Sequence, residues 1–146
     1  MAARDRFEQT RKAVVELAAI QALIAVNGED WRPDGIKAGM PDPTANRAIY
    51  NVDVLGVQIE EWRKREAELV KFIGATIRII SGVRRGLGDA YASILEQRYI
   101  DGLPWADVKH DGRKVPKSTG KMKVAVAMDW IDSVGIAGIM GGDYEV

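Results

Sequence analysis

Apolar residues recur at three- and four-residue steps through most of this chain, and those steps mark out helices. In the first segment Phe7, Val14, Leu17 and Ile24 fall at helical spacing with alanines on the flanks, which predicts a helix over about 3–26. Asn27-Gly28 is expected to end it, because both residues tolerate the left-handed conformation of a helix C-terminus. The stretch from Glu29 to Met40 holds Pro33, Gly35 and Gly39, has no periodicity, and reads as a loop. Asp42-Pro43 then places an N-cap acceptor before a proline in the first helical position, where a missing N–H costs nothing.

From that cap the pattern is long. Val52, Leu55, Ile59, Trp62, Leu69, Ile73 and Ile80 keep a 3–4 rhythm that Glu66 and Thr76 interrupt, predicting a helix over about 43–81 that stops at Ser81-Gly82. Gly56 and Gly74 weaken its intrinsic propensity by about 1 kcal/mol each relative to alanine. Such a helix is roughly 55 Å long and cannot bury its stripe alone. The first helix, folded back as an antiparallel hairpin, offers roughly 36 Å of cover. A second copy of the chain is the other partner.

Three further helical segments follow. The first covers about 87–100, with Ala90, Ile94, Leu95 and Tyr99 facing inward, and Gly102 closes it. A short segment from Pro104 to His110 is anchored by Trp105 and Val108. The last runs over about 118–134, with Val124, Ala127, Met128, Ile131 and Val134 as its buried stripe. The expected fold is therefore all-α: an N-terminal antiparallel helical hairpin with a long second helix (1–82), then a C-terminal three-helix helix-turn-helix domain (83–135). The glycine-rich tail, 136–146, is expected to be flexible.

Composition narrows the chemistry. The chain has no cysteine and one histidine, so disulfides, thiolate metal sites and His-based zinc sites are not expected, and no cofactor motif is visible. The longest apolar stretch, Ala13 to Val26, contains Glu16 and Gln21 and is too short to span a bilayer. No signal peptide is visible, and a cytoplasmic protein with no membrane partner is the expectation. Carboxylate pairs such as Glu60-Glu61 sit among Arg63, Lys64 and Arg65 and read as solvated helix pairs rather than an acid/base dyad. Gly86-Leu87-Gly88 lacks the strand and the Gly-Lys-Ser of a phosphate loop. His110 has no nucleophile pattern near it, so a non-enzyme is expected.

Charge changes the picture most. The chain is neutral overall, yet residues 109–123 hold Lys109, Arg113, Lys114, Lys117, Lys121 and Lys123 against the single acid Asp111. A concentrated basic stretch in a neutral chain is the footprint of nucleic-acid binding. It falls at the turn and the first turns of the last helix, from which helix-turn-helix proteins reach base edges. Lys117, Thr119, Lys121 and Lys123 are the candidates for bases, Arg113 and Lys114 for the backbone, and Lys109 completes the basic set. Ser118 and Thr119 are expected to cap the helix, to contact phosphate, or both. Trp105, spaced with Tyr99 and Val108, reads as a core plug rather than a stacking platform.

The run Leu95-Glu96-Gln97-Arg98-Tyr99-Ile100-Asp101-Gly102-Leu103-Pro104-Trp105-Ala106-Asp107-Val108 resembles the opening of the sigma-factor region-4-like helix-turn-helix of phage and prophage proteins, including RinA- and ArpU-type late-gene regulators. Gly39-Met40-Pro41-Asp42-Pro43-Thr44-Ala45-Asn46-Arg47-Ala48-Ile49 is similar to a segment that many of these proteins carry before a long helix. The chain departs from them in a longer turn, Asp111 to Lys117, and in Gly120, where a larger residue is usual. The resemblance implies a DNA-binding phage or prophage transcriptional regulator acting on double-stranded DNA. Alternatives are a small terminase-like packaging component and a helical interaction protein that contacts RNA polymerase without DNA. A homo-oligomer, most simply a dimer through the helical scaffold, is expected in the leading reading.

Overall fold

The computed structural model describes residues 2–30 and 45–140, with side chains over 2–27 and 55–139. The Asp42-Pro43 cap and the loop before it lie outside the described residues, as does the chain after Met140. The elements are α1 (Ala3–Asp30), α2 (Ala45–Gly86), α3 (Asp89–Leu95), a π-helical turn (Glu96–Ile100), a 3-10 turn (Trp105–Asp107), β1 (Lys109–His110), β2 (Arg113–Lys114), α4 (Lys117–Val134) and α5 (Ile136–Met140). The class is all-α, with one two-stranded hairpin as the sheet among the described residues.

Several boundaries differ from the pattern's expectation, each for a local reason. α1 continues through Asn27-Gly28 to Asp30, and the Asn27 amide donates back to the Leu23 carbonyl at 2.9 Å. α2 runs through Gly82 to Gly86. Those two glycines mark close approaches rather than stops: a Cβ on Gly82 would run into Ile139, and one on Gly86 into Trp130. The chain turns instead at Gly88, whose φ of 111° disfavours any residue with a side chain. The segment expected to be a flexible tail begins with α5, and Ile139 is buried. Val134, expected in the buried stripe of the last helix, is exposed.

The chain forms two compact units, and neither divides at residue 82. One joins Met1–Val14 to Lys71–Val146; the other is Val15–Val70. In the first, Phe7, Ile79, Val83, Ile94, Leu95, Tyr99, Val108 and Ile131 belong to one buried cluster. Phe7 meets Tyr99 edge-on, with ring centroids 5.3 Å apart at 70°. The Ala3 amide, an orphan donor at the start of α1, is accepted by Asp132 of α4 at 2.8 Å. Thr76, the polar break in the α2 stripe, is fully buried and shares a 2.8 Å hydrogen bond with the equally buried Thr10. Each hydroxyl also reaches a carbonyl of its own helix, Thr10 that of Arg6 at 2.8 Å and Thr76 that of Phe72 at 3.3 Å, so the buried pair is satisfied and the bond between the helices favours this register. In the second unit Arg65 pairs with Glu16 at 2.8 Å on the surface.

Burial pushes the Tyr99 hydroxyl above its ordinary value of 10.0, and the Glu8 carboxylate adds to the shift. Above pH 10 the unfolded chain therefore loses this proton before the folded one does. Folding stability is present in full below pH 10 and falls as pH rises through the folded value. Denaturant unfolding at stepped alkaline pH should show that fall, and Tyr99→Phe should flatten it. An equal alkaline slope in both proteins would assign it to other groups.

Candidate nucleic-acid interface

The basic stretch is mounted on the Leu95–Val108 run, whose polar residues serve the mount. The wider π-helical turn at Glu96–Ile100 brings the Leu103 amide to the Gln97 carbonyl at 2.9 Å. Gly102, at φ 70°, makes the reversal. Arg98 donates to the Leu103 carbonyl at 2.8 Å, and its guanidinium lies 4.5 Å from the centre of a Trp105 ring. Pro104 leads into the 3-10 turn in extended conformation. The short fourth helix expected from Pro104 to His110 is thus a single 3-10 turn, because Val108 returns to extended backbone and enters a hairpin.

That hairpin occupies the place of the expected helix-turn-helix turn. Asp111 and Gly112 both have positive φ, 53° and 76°, and His110 faces Arg113 across them. Two left-handed central residues make the mirror-image turn that matches the twist of a tight hairpin, and Asp-Gly is among its preferred pairs. Val108 is fully buried and anchors the base of the hairpin.

α4 follows at once. Pro116 stands at its N-cap and no side chain caps it, so neither Ser118 nor Thr119 plays the expected capping role. Lys117 and Ser118 are exposed and Thr119 is half-buried. Lys117 and Lys121, four residues apart, share an exposed face. Lys123 leaves that face: its ammonium lies 4.5 Å from the Tyr91 ring of α3. Lys109, Arg113 and Lys114 are exposed on the hairpin. Lys114 and Lys117 also line one cleft of about 460 Å³, together with Trp105, Ala106, Val115 and Pro116.

Nearby acids do not cancel this charge. Asp89 and Glu96 both bind Arg84, at 2.9 and 3.3 Å, and the Asp89 hydrogen bond leads in holding the guanidinium above its ordinary pKa. Asp111 reaches only His110, at 3.4 Å. Among the described residues none of the six basic side chains of 109–123 takes part in an ion pair within 4 Å.

Gly120 is explained by Trp105. It is buried, and a Cβ there would collide with the six-membered part of the indole. In a free helix Gly→Ala is worth about 1 kcal/mol in stability. Here Gly120→Ala is expected to reverse that sign and destabilise by about 1–3 kcal/mol through overpacking, read as a lowered denaturation midpoint. A stabilised variant would show that the indole has room to move.

Gln97 and Arg98 were not singled out by sequence, and Gly120 stood out only as a departure from the resembled pattern, with no role attached. Of the three, only Gly120 gave a signal: a small residue where a larger one is usual. Comparison with protein-family models, curated proteins and solved structures found no match for this chain. No helix among the described residues is long and apolar enough to cross a membrane.

Proposed function

We propose that this protein binds double-stranded DNA as a phage-type transcriptional regulator, through the hairpin and the first turns of α4. One observation carries the reading: Lys109, Arg113, Lys114, Lys117 and Lys121 stand exposed on one small element pair with no acidic partner among the described residues. The exposed lysines of α4 start where a helix offers unsatisfied N–H groups to phosphate. The likeness of Leu95–Val108 to sigma region-4-like proteins supports transcription as the process.

Titration of a labelled random duplex at several salt concentrations is the test. Engagement of four or five phosphates gives a log–log slope of about −3.6 to −4.5. Binding that is absent or insensitive to salt would refute the proposal and favour the reading as a polymerase-contacting protein.

The scaffold supplies a self-association face in the same reading. Val15 is 68 % exposed and Val26 64 %, three turns apart on α1, with exposed Ala19 and Ala22 between them. Sedimentation at micromolar concentration is expected to give twice the 16.1 kDa chain mass. A strict monomer removes the dimer, and a larger ring favours a packaging component.

A further inference from the structure

The hairpin carries like charges where an antiparallel ladder tolerates them least. Its register pairs Lys109 with Lys114 and His110 with Arg113. The Val115 amide donates to the Val108 carbonyl at 3.0 Å, so Lys109 and Lys114 form the non-hydrogen-bonded rung between two bonded ones. Side chains opposite each other are closest at such a rung, and two like charges there destabilise the pair. Strands of two residues cannot absorb that cost alone.

Support comes from outside the hairpin. At a non-hydrogen-bonded rung the N–H and C=O of Lys109 point away from β2, to the side where a third strand would pair. The Gln97 carboxamide takes that place. Its Oε1 accepts from the Lys109 amide at 2.8 Å, and its Nε2 donates to the Lys109 carbonyl at 2.7 Å. The same Nε2 lies 2.9 Å from Ser93 Oγ and 3.1 Å from the Ser93 carbonyl, tying β1 to α3. One side chain thus holds two exposed ammonium groups on a shared face, an arrangement that an anion between them would stabilise.

Resting on the DNA-binding reading, we infer that Lys109 and Lys114 jointly grip a single backbone phosphate, with Gln97 as the positioning residue that holds them to it. A shared phosphate has a specific signature. Lys109→Ala, Lys114→Ala and the double variant should each lower the salt slope of duplex binding by about 0.9, the contribution of one phosphate, instead of adding to about 1.8 in the double. Gln97→Met removes no charge, yet should lower the slope by the same amount.

Hydrogen exchange at the Val115 amide, run in parallel, reports whether the hairpin rung survives. Additive slopes in the double variant overturn the shared phosphate. An unchanged slope in Gln97→Met, whether or not the Val115 amide stays protected, overturns the positioning role. A wild-type chain that fails to bind duplex sinks the DNA reading and this inference together. Wild-type binding that none of these variants alters sinks this inference alone.

Discussion

Replacing Lys114, Lys117 and Lys121 together with alanine is expected to abolish most duplex binding at moderate salt. Each lysine is exposed, and none has an acidic partner among the described residues. Removing three phosphate contacts lowers the log–log slope by about 2.7 and the affinity at 0.1 M salt by about two to three orders of magnitude. Stability should barely move, since exposed side chains away from special features contribute within about 0.5 kcal/mol. Lys123→Ala is the internal control. Its ammonium is engaged with Tyr91, so its loss should cost about 0.5–1 kcal/mol in stability, the usual worth of an exposed cation–π contact, and leave the slope unchanged. The reverse outcome, a slope set by Lys123 and indifferent to the other three, would turn the interface toward α3.

The all-α class and the long second helix were legible because a 3–4 stripe needs only local spacing to show itself. Phe7, Ile59, Leu69, Ile73 and Ile80 sit in the expected stripes and are buried. Periodicity gives a face, however, and not its partner. Nothing in the spacing of Phe7 tells that it meets Tyr99, ninety-two positions on. The hairpin was hidden for another reason. Its strands are two residues long and wholly charged or imidazole, so neither alternation nor β-branching could mark them; only Asp111-Gly112 carried a hairpin signal, and it read equally well as punctuation between helices. Thr76 was the more informative break. Its hydroxyl, like that of Thr10, bonds back to its own helix, and the two also meet each other at 2.8 Å, a contact no spacing announced. Among the site residues, the cationic side chains were visible as charge, while Gln97 looked like any polar position in its run because the two bonds that hold the hairpin reach Lys109, twelve residues away.

Phe7→Ala is expected to loosen α4, although the two lie at opposite ends of the sequence. Phe7 is fully buried, and the truncation removes both its hydrophobic burial and its edge-on contact with Tyr99. A buried phenylalanine cut to alanine costs about 3–5 kcal/mol, a large share of the 5–15 kcal/mol that holds a typical domain together. The effect should not stay within α1, because residues 3–14 pack in the same unit as the chain from Lys71 onward. Asp132 of α4 accepts the Ala3 amide, so fraying of the first turn of α1 also strips that carboxylate of its partner. Hydrogen exchange then separates two architectures. If the start of α1 is part of the module that carries the basic hairpin, protection at Val124 to Ile131 of α4 falls with that of α1 by a common free energy. Were 1–82 an independent scaffold, α1 and α2 would lose protection while α4 kept its own, and the interface would stay intact on a damaged support. The double variant Phe7→Ala, Asp132→Ala sharpens the comparison: two ties between the same pair of elements should give a non-additive loss, whereas contacts in separate modules would sum within about 0.5 kcal/mol.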